Sequence, residues 1–285
     1  MINYNYGVRG HDILIKDDLD KWSDKIQAMK IHTLQFALPL SFPETSKGGD
    51  LIDPGLGNII RRNLSKKDIE IGVLSCYVNL IHPNLIERQK QIEKMKKYLQ
   101  NAKFFGANIV ATETGSVDPE FSFTKENFEE EHFEELIETI KQLLPVAQKC
   151  GVKLALEPGV NHPLYSLDKT EELLKIFDYD PALKIILDPA NLMLDKNDNL
   201  LSIIKDAFMR FNNQIVAVHV KDFAWTPGAK RLIKTVVPGT GEVDIKDVID
   251  LAETFQPYGL KMFDELDKGM LDTFMKSDYA KAIFK

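Results

Sequence analysis

Four ionisable residues stand where predicted β-strands end, and their types and spacing suit metal chemistry. Glu157 ends the segment KLALE, Asp188 follows IIL, and His219 lies in IVAVHV, with steps of 31 residues from each to the next. Glu265 comes 46 residues after His219, behind the apolar segment LKMF and Asp264. Steps of this length match about one strand–helix unit, so we expect all four side chains at the same end of a sheet or barrel.

Three carboxylates and one imidazole brought together form a donor set for a divalent cation. Without a cation, the carboxylates would repel one another and raise their own pKa values. Oxygen ligands with a single nitrogen favour Mn²⁺ or Mg²⁺, and Zn²⁺ is an alternative. A single acidic residue at a strand end is more often a helix N-cap, and a single histidine there more often a core residue. Four such residues at regular spacing instead predict one bound divalent metal ion.

Eight short apolar segments, rich in β-branched residues, alternate with segments of helical periodicity. Successive apolar positions are typical of parallel strands buried on both faces. The alternation predicts a single (β/α)₈ TIM barrel of the α/β class, with residues 1–285 in one domain. An open doubly wound sheet is the rival, but the turn GVRGHD after the first strand lacks the third glycine of a dinucleotide site. The predicted strands are Tyr4–Val8, Thr33–Leu38, Ile69–Cys76, Asn108–Thr112, Val152–Leu156, Leu183–Leu187, Ile215–Val220 and Leu260–Phe263.

Apolar residues spaced three and four apart predict the helices between these strands. Pro145 lies inside one of them and should kink or shorten it. The predicted helices are Lys21–Lys30, Leu85–Phe105, Phe133–Cys150, Lys169–Phe177, Leu200–Phe211, a segment that follows the N-cap candidate Asp244, and Leu271–Phe284. The longest predicted loops are Pro39–Gly57, Gly115–Asn127 and Phe223–Val243.

Composition excludes several classes of protein and partner. The formal net charge of −7 argues against a nucleic-acid binder, which needs Lys and Arg to neutralise phosphates. No apolar run approaches a membrane span, and Met1–Tyr6 shows no signal-peptide pattern. The two cysteines, Cys76 and Cys150, predict reduced thiols in a cytoplasmic protein. A homo-oligomer stays open, since outer helical surfaces cannot be ranked from sequence.

Several short motifs, in order, resemble signatures of the sugar phosphate isomerase/epimerase family, the xylose isomerase-like TIM barrels. They are LEP at 156–158, LDPANL at 187–192, HVKD at 219–222, PGTGEVD at 238–244 and DE at 264–265. VATETG at 110–115 is similar to the family's fourth strand, so the resemblance spans nearly the whole chain. It implies that Glu157, Asp188, His219 and Glu265 bind one divalent metal ion, commonly manganese. It also implies that Glu157 and Glu265 move protons.

Five further residues are predicted to contact a small-molecule sugar or sugar phosphate. Lys221 lies two residues after His219, so both side chains should point into the barrel, where Lys221 binds substrate or pairs with a carboxylate. The first and fourth strands supply candidates at their ends, and similar family members place a histidine after the strand of Glu157. Besides Lys221, the predicted substrate contacts are His11, Glu113, His162 and Asn191.

The leading hypothesis is a metal-dependent sugar or sugar-phosphate isomerase or epimerase that acts through an enediolate. A dehydratase acting on a keto-inositol or a dehydroshikimate-like substrate shares the first half of that mechanism and is the alternative. Two positions depart from the ketose 3-epimerase pattern and argue against that particular activity: Asn191 replaces a histidine, and Trp225 replaces an arginine. An apurinic endonuclease of the same superfamily would need more histidines than the six present. A non-catalytic carbohydrate-binding protein on the same scaffold also stays open.

Overall fold

Eight parallel strands close a barrel in the computed structural model, which describes residues 4–226 and 233–285. The strands are Tyr6–Arg9 (β1), Thr33–Ala37 (β2), Glu70–Ser75 (β3), Ile109–Glu113 (β4), Lys153–Glu157 (β5), Leu183–Leu187 (β6), Ile215–Val220 (β7), Asp222–Trp225 (β8), Ile233–Val236 (β9) and Leu260–Phe263 (β10). All except β8 and β9 belong to the barrel, which β10 closes by pairing with both β1 and β7. The predicted (β/α)₈ barrel is therefore confirmed. The predictions for residues 1–3 (no signal peptide) and 227–232 (part of the third loop) lie outside the described residues.

Helices follow the strands and pack around the barrel. Their bounds are Leu19–Ala28 (α1), Leu38–Ser41 (α2), Pro54–Ser65 (α3), Leu85–Asn101 (α4), Glu130–Cys150 (α5), Leu167–Ile176 (α6), Leu200–Phe211 (α7), Ile245–Phe255 (α8), Met270–Phe274 (α9) and Asp278–Ile283 (α10). Short 3₁₀ helices cover Gly10–Asp12, Ala102–Phe105, Lys125–Phe128 and Asn212–Gln214. Within the described ranges, no helix combines the length and apolar character needed to cross a membrane.

Three segments differ from their sequence-based predictions. Helix α3 lies partly in the predicted loop Pro39–Gly57, because Asp53 accepts the backbone N–H of Leu56 and Pro54 starts the helix where no N–H partner is needed. The predicted loop Phe223–Val243 contains most of the antiparallel hairpin β8–β9. Pro145 does not shorten α5, which continues to Cys150 and ends at Gly151 with φ +69°.

Alternation along the strands divides the core into an interior layer and a larger outer layer. The interior cluster comprises Val73, Ile109, Ala111, Ala155, Ile186, Ala217 and Met262. Their strand neighbours, such as Leu154 and Leu156, belong to the outer core, which includes helical residues. Side chains two residues apart on a strand point in the same direction. A polar residue two positions after an interior residue therefore faces the barrel axis at the carboxyl end of its strand.

Candidate functional site

Three of the four predicted metal ligands meet at the carboxyl end of the barrel. Donor atoms of Glu157, Asp188 and His219 all lie within 4.8 Å of one another, and the three residues are buried. Each stands two residues after an interior residue of its strand, respectively Ala155, Ile186 and Ala217. Barrel alternation therefore places two carboxylates and one imidazole in one small, solvent-excluded volume.

The imidazole of His219 is held with one nitrogen directed at the carboxylates. Its Nε2 lies 2.8 Å from Oε1 of Gln35, which can only accept a hydrogen bond, so Nε2 carries a proton. Nδ1 lies 3.4 Å from Glu157 and 3.5 Å from Asp188, and it has no hydrogen-bond partner among the described residues. Burial opposes ionisation of His219, but the charges of Glu157 and Asp264 outweigh it and raise the pKa of the imidazole. A divalent ion would take the place of the proton on Nδ1 between the carboxylates, so the residues fit such an ion.

Glu265, the fourth predicted ligand, lies outside this group of three. Its Oε2 accepts a hydrogen bond from Thr235 at 2.5 Å, and its Oε1 is 3.3 Å from Nζ of Lys221. The preceding residue, Asp264, instead places Oδ2 3.9 Å from Nδ1 of His219. Asp264 stands two residues after the interior Met262, whereas Glu265 has the opposite parity and a left-handed φ of +55°. Strand alternation thus brings Asp264 next to the imidazole.

A buried lysine neutralises much of the negative charge at this site. Nζ of Lys221 lies 2.9 Å from Asp188 and 3.0 Å from Asp264. Burial opposes ionisation of both acids, but the Lys221 ammonium outweighs it and holds the pKa of each below its ordinary value. Burial raises the pKa of Glu157 despite its neighbour His219. These five side chains form one electrostatic unit. Lys221 pairs with carboxylates in it, which was one of its two predicted roles.

Asn191 links two members of that unit. Its amide nitrogen donates to Oε1 of Glu157 at 2.9 Å, and its oxygen accepts from Nζ of Lys221 at 3.2 Å. Its backbone N–H donates to Oδ1 of Asp188. These contacts hold the site carboxylates in place. Substrate binding by Asn191 stays a prediction.

The remaining predicted substrate residues surround the mouth of the barrel. His11 packs edge-on against the ring of Tyr77, with ring centroids 6.2 Å apart. Glu113 ends β4 and pairs in register with Glu157 of β5. Oε1 of Glu113 lies 3.9 Å from Nε2 of His162. Glu113 and His162 line a cavity of about 350 Å³, here called the side pocket, whose walls also include Tyr77, His82 and Phe121.

Sequence reasoning missed two groups at the site, Gln35 and Asp264. Gln35 lies on β2, three strands from β7 around the barrel, and only the closed geometry brings it to His219. The sequence pattern could have identified Asp264, because it directly follows the apolar strand and stands two residues after the interior Met262. Arg9 binds Asp12 through two hydrogen bonds and lies 3.6 Å from Asp264, so its charge is already paired.

Comparison with known proteins agrees with the fold and places the chain in a family. Residues 42–267 match the family described as "Xylose isomerase-like TIM barrel", and the chain belongs to that family. No curated protein sequence matches the chain significantly.

Solved structures of the same fold are similar along nearly the whole chain at low sequence identity. D-psicose 3-epimerase with D-tagatose from Clostridium cellulolyticum has a TM-score of 0.72 at 14% identity, covering 99% of each chain. The probable 3-DHS dehydratase AsbF from Bacillus anthracis has a TM-score of 0.72 at 17% identity, covering 95% of this chain and 97% of its own. A xylose isomerase-like TIM barrel protein from Mycobacterium smegmatis in complex with magnesium has a TM-score of 0.68 at 15% identity, covering 93% and 87%.

Proposed function

We propose that this protein is a metal-dependent isomerase or epimerase of a sugar or sugar phosphate, acting through an enediolate. The observation that carries the proposal is the buried group of Glu157, Asp188 and His219, in which Nδ1 of His219 is directed at the two carboxylates. Family membership and structural neighbours that include an epimerase and a magnesium complex support it. The proposed ion is Mn²⁺, with Mg²⁺ and Zn²⁺ as the alternatives to be tested. The two cysteines are free, which supports a reducing, cytoplasmic location.

Glu157, Asp188 and His219 are the proposed metal ligands, together with one carboxylate from the end of β10. Asp264 is favoured as that ligand, because it is 5% exposed and close to Nδ1 of His219. The sequence-based choice, Glu265, is then assigned mainly to contact with the substrate. When bound, the ion supplies Lewis-acid stabilisation of negative charge on a substrate oxygen.

Proton transfer is assigned to Glu157 and Glu265. One carboxylate takes the proton from the carbon next to the substrate carbonyl, and the C–H electron pair becomes the C=C bond of an enediolate. Return of the proton to the opposite face gives an epimer, and return to the adjacent carbon gives the aldose–ketose isomer. The side chain of Glu265 is 27% exposed at the mouth of the site, where substrate would enter.

The test is deuterium exchange from D₂O into a panel of ketoses and keto-inositols, followed by NMR on the Mn²⁺-loaded protein. We expect metal-dependent exchange at the carbon next to the carbonyl. Glu265→Gln should retain the metal and lose exchange at least about a hundredfold, which is the size of a general acid–base contribution. Asp264→Asn should lose metal affinity instead. Full exchange in Glu265→Gln would refute the two-carboxylate mechanism.

The same experiment distinguishes an isomerase or epimerase from the alternative, a dehydratase. The structural similarity to the probable 3-DHS dehydratase supports testing that alternative. A dehydratase forms the same enediolate or enolate but expels a β-hydroxyl group as water. Appearance of enone absorbance without carbohydrate isomers would therefore assign the protein to the lyases.

A further inference from the structure

The side pocket opens beside the proposed reaction centre and is large enough for part of a substrate. Its volume of about 350 Å³ lies in the range of small-molecule sites. Glu113 is the register partner of Glu157, so one wall of the pocket adjoins a proposed metal ligand. Tyr77, in another wall, accepts a hydrogen bond at 3.4 Å from Gln35, which in turn contacts His219. A substrate reacting at the metal centre could therefore extend into this pocket.

The polar groups of the side pocket are suited to hydroxyl donors. Nδ1 of His162 lies 2.8 Å from the carbonyl oxygen of Gly115, so Nδ1 carries a proton and Nε2 faces Glu113. A carboxylate only accepts hydrogen bonds, and its partner must supply the hydrogen. The 3.9 Å gap between Nε2 of His162 and Oε1 of Glu113 allows one hydroxyl oxygen, or two adjacent hydroxyls, to contact both groups. Among the described lining residues there is no Lys or Arg.

An aromatic ring supplies the apolar part of the pocket. Phe121 packs against His162 with ring centroids 6.3 Å apart. Its φ of +54° is unusual for a bulky residue. On either side of it, the backbone N–H groups of Glu120 and Ser122 donate to the carboxylate of Asp118. Strained backbone of this kind clusters at ligand sites, and here it fixes an aromatic ring against which the C–H face of a sugar can pack.

We propose that the side pocket binds the end of the substrate remote from the reacting carbons, and that this end is uncharged and carries hydroxyl groups. The inference rests on the proposed function and narrows its substrate class to compounds without phosphate at that end. A phosphate presents mainly acceptor oxygens and negative charge, so the Glu113 carboxylate would repel it. A hydroxyl donates to Glu113 without a change in net charge.

The experiment measures dissociation constants on the full-length, Mn²⁺-loaded protein by ligand-observed NMR. The probes are matched pairs: D-fructose, D-psicose and D-tagatose, each against its 6-phosphate. Glu113→Gln is compared with Glu120→Gln, which alters an exposed carboxylate of the same loop region that does not line the pocket. His162→Gln provides a second variant, and melting temperatures identify any variant that fails to fold.

We expect the best neutral ketose to bind more tightly than its phosphate. Glu113→Gln should weaken binding of the neutral ketose about tenfold, which is the loss expected for a hydrogen bond to a charged group. The difference between the dissociation constants of the neutral ketose and its phosphate should become smaller. Glu120→Gln should change neither constant. Tighter binding of the phosphates, an unchanged constant in both folded pocket variants, or no saturable binding of any neutral ketose would overturn the inference. Glu113-dependent binding without metal-dependent deuterium exchange would instead contradict only the proposed function.

Discussion

Gln35 offers a sharp test of how the metal centre is organised. Gln35→Leu removes the acceptor 2.8 Å from Nε2 of His219 and leaves a buried imidazole N–H without a partner. Such an unsatisfied group costs about 1–3 kcal/mol, which corresponds to roughly 5- to 150-fold in an equilibrium constant. Loss of an outer partner of a ligating histidine weakens metal affinity about 10- to 100-fold. We therefore expect Mn²⁺ to bind Gln35→Leu about 10- to 100-fold more weakly than the native protein.

The assay is calorimetric titration of the chelator-treated protein with Mn²⁺, combined with ¹⁵N NMR of the His219 ring. The native metal-free protein should show a hydrogen-bonded proton on Nε2, and Gln35→Leu should lose that hydrogen bond. Tyr77→Phe is the matched control, because it removes the phenol 3.4 Å from Gln35 but leaves the contact between Gln35 and His219. Equal Mn²⁺ affinity in Gln35→Leu and the native protein, or a native Nε2 without a proton, would refute the reasoning.

Three further predictions concern other parts of the molecule. The buried Asp222 carboxylate accepts five backbone N–H groups, so Asp222→Ala should lower the free energy of unfolding by about 3 kcal/mol in urea, and a loss below about 1 kcal/mol would contradict this. Burial raises the pKa of the Cys76 thiol to about 12, so a disulfide reagent at pH 8 should modify the half-buried Cys150 and spare Cys76 until denaturant is added; native modification of both would be inconsistent. Burial and then the charge of Arg9 lower the pKa of His11 to about 3. The unfolded chain takes up this proton near pH 6.5 and the folded chain does not, so the contribution of His11 to stability should decline as pH falls from about 6.5 toward 3. An NMR titration midpoint for His11 near 6.5 would show that prediction to be wrong.

The barrel could be predicted because its strands carry strong local signals. Leu183–Leu187, Ile215–Val220 and Leu260–Phe263 are predicted with their observed bounds, since turn residues interrupt apolar runs at both ends. The hairpin β8–β9 was missed because each strand has only four residues and because its pairing depends on contact between separated segments. Helix α3 was missed because Pro54 and two glycines in its first turns resemble a loop.

Those residues of the candidate site whose position depends on a single strand could be predicted from the sequence. Glu157, Asp188 and His219 follow from strand ends alone, and their burial together confirms that they converge. The position of Asp264 beside His219 depends on which side chains of β10 face the barrel axis, and the interior position of Met262 establishes this. The contact of Gln35 with His219 joins strands far apart in sequence, so the sequence pattern of neither strand could reveal it.

The central claim is tested most directly by titrating the metal-free protein with Mn²⁺ and comparing His219→Gln with His132→Gln. His132 belongs to a second, exposed group with Glu129 and Glu131, so its variant controls for weak surface binding of the ion. The account predicts one tight site per chain in the native protein, retained in His132→Gln and lost in His219→Gln. Tight binding that survives His219→Gln, or disappears in His132→Gln, would contradict it.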